Sequence, residues 1–77
     1  MEWLAAETAF KQKSEAGKGT DSLGGAEALY FPMILGRSII YVLGVKIEDG
    51  YKLSLREKEF LRSFIEEVIP FIEKVLN

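Results

Sequence analysis

Lys18 stands between Gly17 and Gly19, with Thr20, Asp21 and Ser22 directly after, and this is the stretch whose residue types come nearest to a phosphate cradle. The spacing refuses that chemistry. A nucleotide-binding loop needs Ser or Thr after the Gly-Lys pair and a second glycine five residues before the first; here Gly19 follows Lys18, and the upstream position is Gln12. The dinucleotide fingerprint fails as well, because its third glycine position is Ser22 and no strand precedes the loop. A surface loop is the expected reading of residues 14–25, which hold Gly17, Gly19, Gly24 and Gly25, with residues 20–23 as a short strand.

The chain has no cysteine and no histidine. That excludes disulfides, thiolate and imidazole metal sites, Cys or Ser-His nucleophilic catalysis and phosphotransfer to a histidine within these residues. No nucleophile–base pair and no cluster of carboxylates is visible in the sequence. Catalytic residues, metal ligands and cofactors are accordingly expected to be none, and enzymatic activity is not expected.

Seventy-seven residues allow one domain, near the size at which a single core is marginal without a partner. Ten Lys and Arg against twelve Asp and Glu give a net charge of −2 with the signs interspersed, so nucleic acid is not an expected partner. The longest apolar run, residues 38–45, is too short to span a bilayer, and the first residues lack the cationic start of a secretory signal. A soluble, cytoplasmic segment is expected, with no direct membrane insertion.

The elements that must position any site centre on residues 28–47, whose two arms are rich in β-branched and aromatic side chains around Gly36 and Arg37. They predict a β-hairpin with a two-residue type II′ loop. In that register Leu35 faces Ser38, Met33 faces Ile40, Phe31 faces Val42 and Leu29 faces Gly44, while Tyr30 faces Leu43. Arg37 falls at the tip as a solvated charge. Neither face of the hairpin alternates apolar with polar, which predicts a middle layer covered on both sides. Pro32 has no N–H and must sit on a non-bonding side or at a bulge.

Residues 2–13 predict a first helix, with Trp3, Ala6 and Phe10 at helical spacing and Ala5 and Ala9 beside them; Trp3 and Phe10 are expected to dock it on the sheet. Glu48, Asp49 and Gly50 end the second arm in a turn. Ser54 and Glu57 form a capping box that opens a long final helix. Its apolar residues cover about half the circumference, wider than the ~100° stripe of an ordinary surface helix. Leu61, Phe64, Val68, Phe71 and Val75 make one line, stepping by three and four, and Ile65, Ile69, Ile72 and Leu76 a second. Burial against the sheet and pairing with another helix are both open. The helix is expected to be the main core-forming element, with Phe64 among its buried residues, and Pro70 to bend or divide it.

The run from Ala16 to Leu23 (Ala-Gly-Lys-Gly-Thr-Asp-Ser-Leu), the Ala28-Leu29-Tyr30-Phe31-Pro32-Met33 strand, Leu43-Gly44-Val45 and the helix after Ser54 together resemble the second half of a GAF domain, as found in the KdpD family of osmosensitive potassium-channel sensor histidine kinases. The resemblance implies an α+β fold: a single partial, truncated GAF-like domain over residues 1–77, with an antiparallel sheet around a central hairpin, an N-terminal helix and a long C-terminal helix. It implies a sensory or relay module of a two-component kinase, joined to the rest of such a chain through the final helix. The family's upstream helix and strand pair, phosphoacceptor histidine and ATP-binding half have no counterpart here.

GAF domains commonly hold small molecules between the sheet and a helix-and-loop layer. That would make Thr20 and Asp21 polar anchors and Tyr30 a stacking or hydrogen-bonding group for an unidentified ligand. Local turn formation by Thr20 and Asp21, and a sheet role for Tyr30, are the structural alternatives. The other functional class is a ligand-free dimerisation module. The second hairpin arm would present an open edge with no Pro and few charges, which predicts a homodimer through Ile40 and Val42, through Phe64, Val68, Phe71 and Val75, or through both.

Overall fold

The hairpin forms one residue out of the expected register. In the computed structural model, which describes residues 1–36 and 39–76, β2 (Ala28–Leu35) pairs antiparallel with β3 (Ile39–Lys46) from Ala28 opposite Lys46 to Leu35 opposite Ile39. Three positions, not two, separate the arms; Arg37 and Ser38 lie outside the described residues, while Gly36 takes a φ of 64°. Met33 faces Tyr41 rather than Ile40, and Tyr30 faces Gly44 rather than Leu43. A one-residue slip exchanges the faces of a whole strand. Here it sends Leu43 and Val45 to the core face with Leu29, Phe31 and Met33, where the expected register would have put Val42 and Gly44.

The sheet is a middle layer, as its two apolar faces require. Its strand order is β1-β2-β3, all antiparallel, with β1 (Ala16–Gly17) opposite Tyr30 and Leu29. The short strand is thus Ala16–Gly17 and not residues 20–23, which turn instead: the Thr20 hydroxyl lies 2.8 Å from the Gly17 carbonyl and 2.9 Å from that of Ser22, and accepts the Ser22 N–H at 3.1 Å. A side chain bonded to its own neighbouring backbone competes with a strand ladder. Gly17 has to be glycine. Its φ is 102°, and a Cβ there would stand 2.3 Å from the Ala28 carbonyl oxygen.

On one face α2 (Leu55–Leu76) lies across β2. Ile65 is its buried residue, packed with Leu29, Phe31 and Met33, and Leu61, Ile69 and Ile72 close the rim. Phe64 is not in this core: it is 51% exposed, because the residue that points at the sheet is its neighbour. Ile65, Ile69 and Ile72 of the second apolar line therefore pack, together with Leu61 of the first, while Phe64, Phe71 and Val75 are left outside. Pro70 lies inside the helix without ending it. The capping box is present, with the Ser54 N–H donating to Glu57 at 2.9 Å and the Glu57 N–H to the Ser54 hydroxyl at 3.1 Å.

On the other face α1 (Glu2–Gln12) touches all three strands through Ala5 and Ala9, both fully buried. Small side chains let the helix approach closely, and the aromatics are displaced to its flank. Trp3 is 79% exposed and Phe10 47%, so neither docks the helix as expected.

Candidate functional site

The three residues expected to anchor a ligand do not converge. Thr20 is spent on its turn, Asp21 is exposed, and the Tyr30 hydroxyl donates to Glu2 Oε1 at 2.8 Å. None of them lines the grooves at Lys18 and Lys58, at Pro32 and Ile34, at Trp3 and Phe10, or at Val45 and Phe60. Glu2, which no motif in the sequence singles out, is the partner that holds Tyr30. Its carboxylate also accepts the Glu27 N–H at 2.8 Å and the Ala28 N–H at 3.1 Å, so the first turn of α1 is bolted to the start of β2. These donors, led by the Glu27 N–H, hold the Glu2 carboxyl below its ordinary range. Burial, and then the bond to Glu2, push the Tyr30 hydroxyl up.

Lys18 of the glycine-rich stretch and Lys58 and Arg62 of α2 are fasteners too. Lys18 donates to the carbonyls of Ile47 and Glu48, each at 3.2 Å, and Lys58 to that of Gly19 at 3.1 Å. Arg62 grips Glu15 in a two-pronged pair at 2.6 and 2.8 Å, which raises the guanidinium further. A groove of about 230 Å³ is lined by Lys18 and Lys58, both engaged in these bonds, and by Lys52, and another of about 370 Å³ lies where α2 passes Pro32 and Ile34. Among the described residues no group of three or more His, Cys, Asp or Glu could hold a metal ion, and no helix is long and apolar enough to cross a membrane.

What the fold does bring together lies along β3. No strand pairs with its outer edge among the described residues. Above that edge, Trp3, Ala6, Phe10 and Val42 line a largely apolar groove of about 390 Å³. Below it, Val45, Ile47, Leu53, Phe60 and Leu61 line a second of about 410 Å³. Phe60, Phe64, Phe71 and Val75 follow along α2, exposed by 71, 51, 69 and 69%. Ile40 and Val42, on the α1 side of β3, are half-buried, as is Val68 on α2. Of the residues expected to form an interaction surface, Phe64, Phe71 and Val75 are thus exposed and Ile40, Val42 and Val68 only partly so, while Trp3, Phe10 and Phe60 add exposed aromatic area. Their signal in the sequence was aromatic content, which reads equally as core.

Compared with protein-family models, with curated proteins and with solved structures, the chain matches none.

Proposed function

We propose that this chain is a regulatory module of the GAF-like kind that works by self-association, its second copy covering the β3 side of the sandwich. The observation that carries this reading is the exposure of Trp3, Phe10 and Phe60 in the grooves beside the unpaired β3 edge, with Phe64 and Phe71 exposed further along α2. Monomers rarely leave so large an apolar patch in water. Covering roughly 100 Å² on each such aromatic contributes about 2.5 kcal/mol. Summed over these five residues in two copies, the gross gain of about 25 kcal/mol exceeds the roughly 4–15 kcal/mol that association costs.

Ligand sensing is the second reading, and the Trp3–Phe10–Val42 groove is the observation in its favour. In a sensor kinase of the type the sequence resembles, α2 would then relay the bound state along the chain. Melting curves separate the two classes. Self-association predicts a Tm that climbs with protein concentration and ignores a panel of nucleotides and metabolites; a Tm that responds to one such compound and not to concentration supports sensing instead.

A further inference from the structure

We infer that the second copy packs its α2 antiparallel to the first, with Val68 of one copy against the partner's Phe71 and Phe64 against the partner's Val75. The inference rests on the self-association reading and adds to it an orientation and a register. Phe64, Val68, Phe71 and Val75 step by four, three and four along the side of α2 that the sheet leaves uncovered, which is the seam of a helix pair. Three of them are more than half exposed, and Ile65, Ile69 and Ile72 are already committed to the sheet.

Volume and charge choose between the ways two such seams can meet. In a parallel pair in register, like meets like: Phe64 and Phe71 each face their own copy, making two oversized layers beside two undersized Val layers. Glu67, which flanks the seam, would then lie beside the partner's Ile72 and meet no opposite charge there. Turning one helix around places a Phe against a Val in every layer. The same register sets Glu67 opposite the partner's Lys74, and the two-fold axis repeats the pair. Sliding the antiparallel pair by one heptad in either direction puts Glu67 against Glu67 or Lys74 against Lys74. Unlike charges thus meet in this register and like charges in its neighbours, which is how flanking residues select a pairing. Both Glu67 and Lys74 are exposed and free to meet a partner chain, and Pro70 falls beside the two-fold axis of this register.

The absence of native cysteine makes the test direct. A spin label on Arg56→Cys, at the exposed start of α2, reports the distance between the two helix starts by pulsed electron resonance. The antiparallel pair places the labels about 40 Å apart, from the 1.5 Å rise per residue, and a parallel pair under about 20 Å. Glu67→Lys alone and Lys74→Glu alone should each weaken the dimer roughly tenfold, and the double exchange should restore it. The long distance together with that rescue supports the inference. A short distance overturns it in favour of parallel helices, the arrangement a relay into a dimeric kinase core requires, and leaves self-association standing. A dimer indifferent to both charge changes and dissolved by Val42→Lys overturns it in favour of pairing through β3. A folded monomer overturns the inference and the self-association reading together.

Discussion

The hydroxyl of Tyr30 donates a 2.8 Å hydrogen bond to the carboxylate of Glu2 across 28 positions of sequence, and the Tyr30 ring covers Gly44 on the neighbouring strand. A Cβ at Gly44 would come within 2.8 Å of that ring. One aromatic residue thus fixes the start of α1, the start of β2 and the register of β3. It is a structural bolt, which accounts for its failure to reach any groove.

Glu2 gives the fold an acid-side dependence. Its carboxyl is held below its ordinary value near 4.5, so its stabilisation is complete above that value and is lost as pH falls through the lowered one. Tyr30, raised above its ordinary value near 10, acts in the opposite sense: its contribution is full below that value and is lost as pH rises through the raised one. Glu2→Gln should lower Tm at neutral pH, and the gap from the parent should close as pH falls below the carboxylate range. A gap of constant size between pH 7 and pH 2 would show that the Glu2 charge has no part in the bolt.

Ile65 and Phe64 should behave oppositely despite being neighbours. Ile65→Ala removes a 5% exposed core residue and should cost about 2–5 kcal/mol in urea unfolding. Phe64→Ala, measured where the protein is dilute enough to be monomeric, should cost about 1 kcal/mol or less. Reversed magnitudes would mean that α2 is rotated about its axis from the arrangement described.

Gly17 and Gly50 both have positive φ, at 102° and 81°, but only Gly17 is crowded. Gly17→Ala should cost about 2–4 kcal/mol from strain and the clash with the Ala28 carbonyl. Gly50→Ala, with nothing within 4 Å of the added methyl, should cost only the strain of about 1–2 kcal/mol. Equal costs in chemical denaturation would count against the close β1–β2 approach.

The capping box predicts that Ser54→Ala costs about 1 kcal/mol. Glu57 should keep its lowered value. Its carboxyl lies below the ordinary range chiefly because of the Ser54 backbone N–H, which the substitution leaves in place, and next because of the Tyr51 hydroxyl. Nuclear magnetic resonance titration of Glu57 should therefore still give a lowered value in Ser54→Ala; a return to the ordinary value would mean that the box opens as a unit.

The α+β order, both helices, the hairpin, the capping box and the two covered faces of the sheet were legible because each is written in local spacing. The register was not. Gly36 and Arg37 suit a two-residue turn, and the gain from placing Leu43 and Val45 in the core with Leu29 is a tertiary quantity that no short window displays. Two neighbouring apolar lines on α2 look alike in spacing, so the expected burial of Phe64 fell one residue short of Ile65, and Ala5 and Ala9 won the sheet from Trp3 and Phe10 through closeness, where apolar area pointed to the aromatics. The ion pair of Arg62 with Glu15 and the reach of Lys58 to Gly19 join residues 47 and 39 positions apart, beyond any motif.

The central claim is that the apolar β3 side of this chain is covered by a second copy of it. Sedimentation equilibrium of the unmodified protein at low micromolar concentration tests this most directly, with circular dichroism on the same sample to confirm the helices. The account predicts the mass of a dimer, twice 8.7 kDa, and its conversion to a folded monomer by Phe71→Lys. A parent chain that sediments as a folded monomer under those conditions contradicts it.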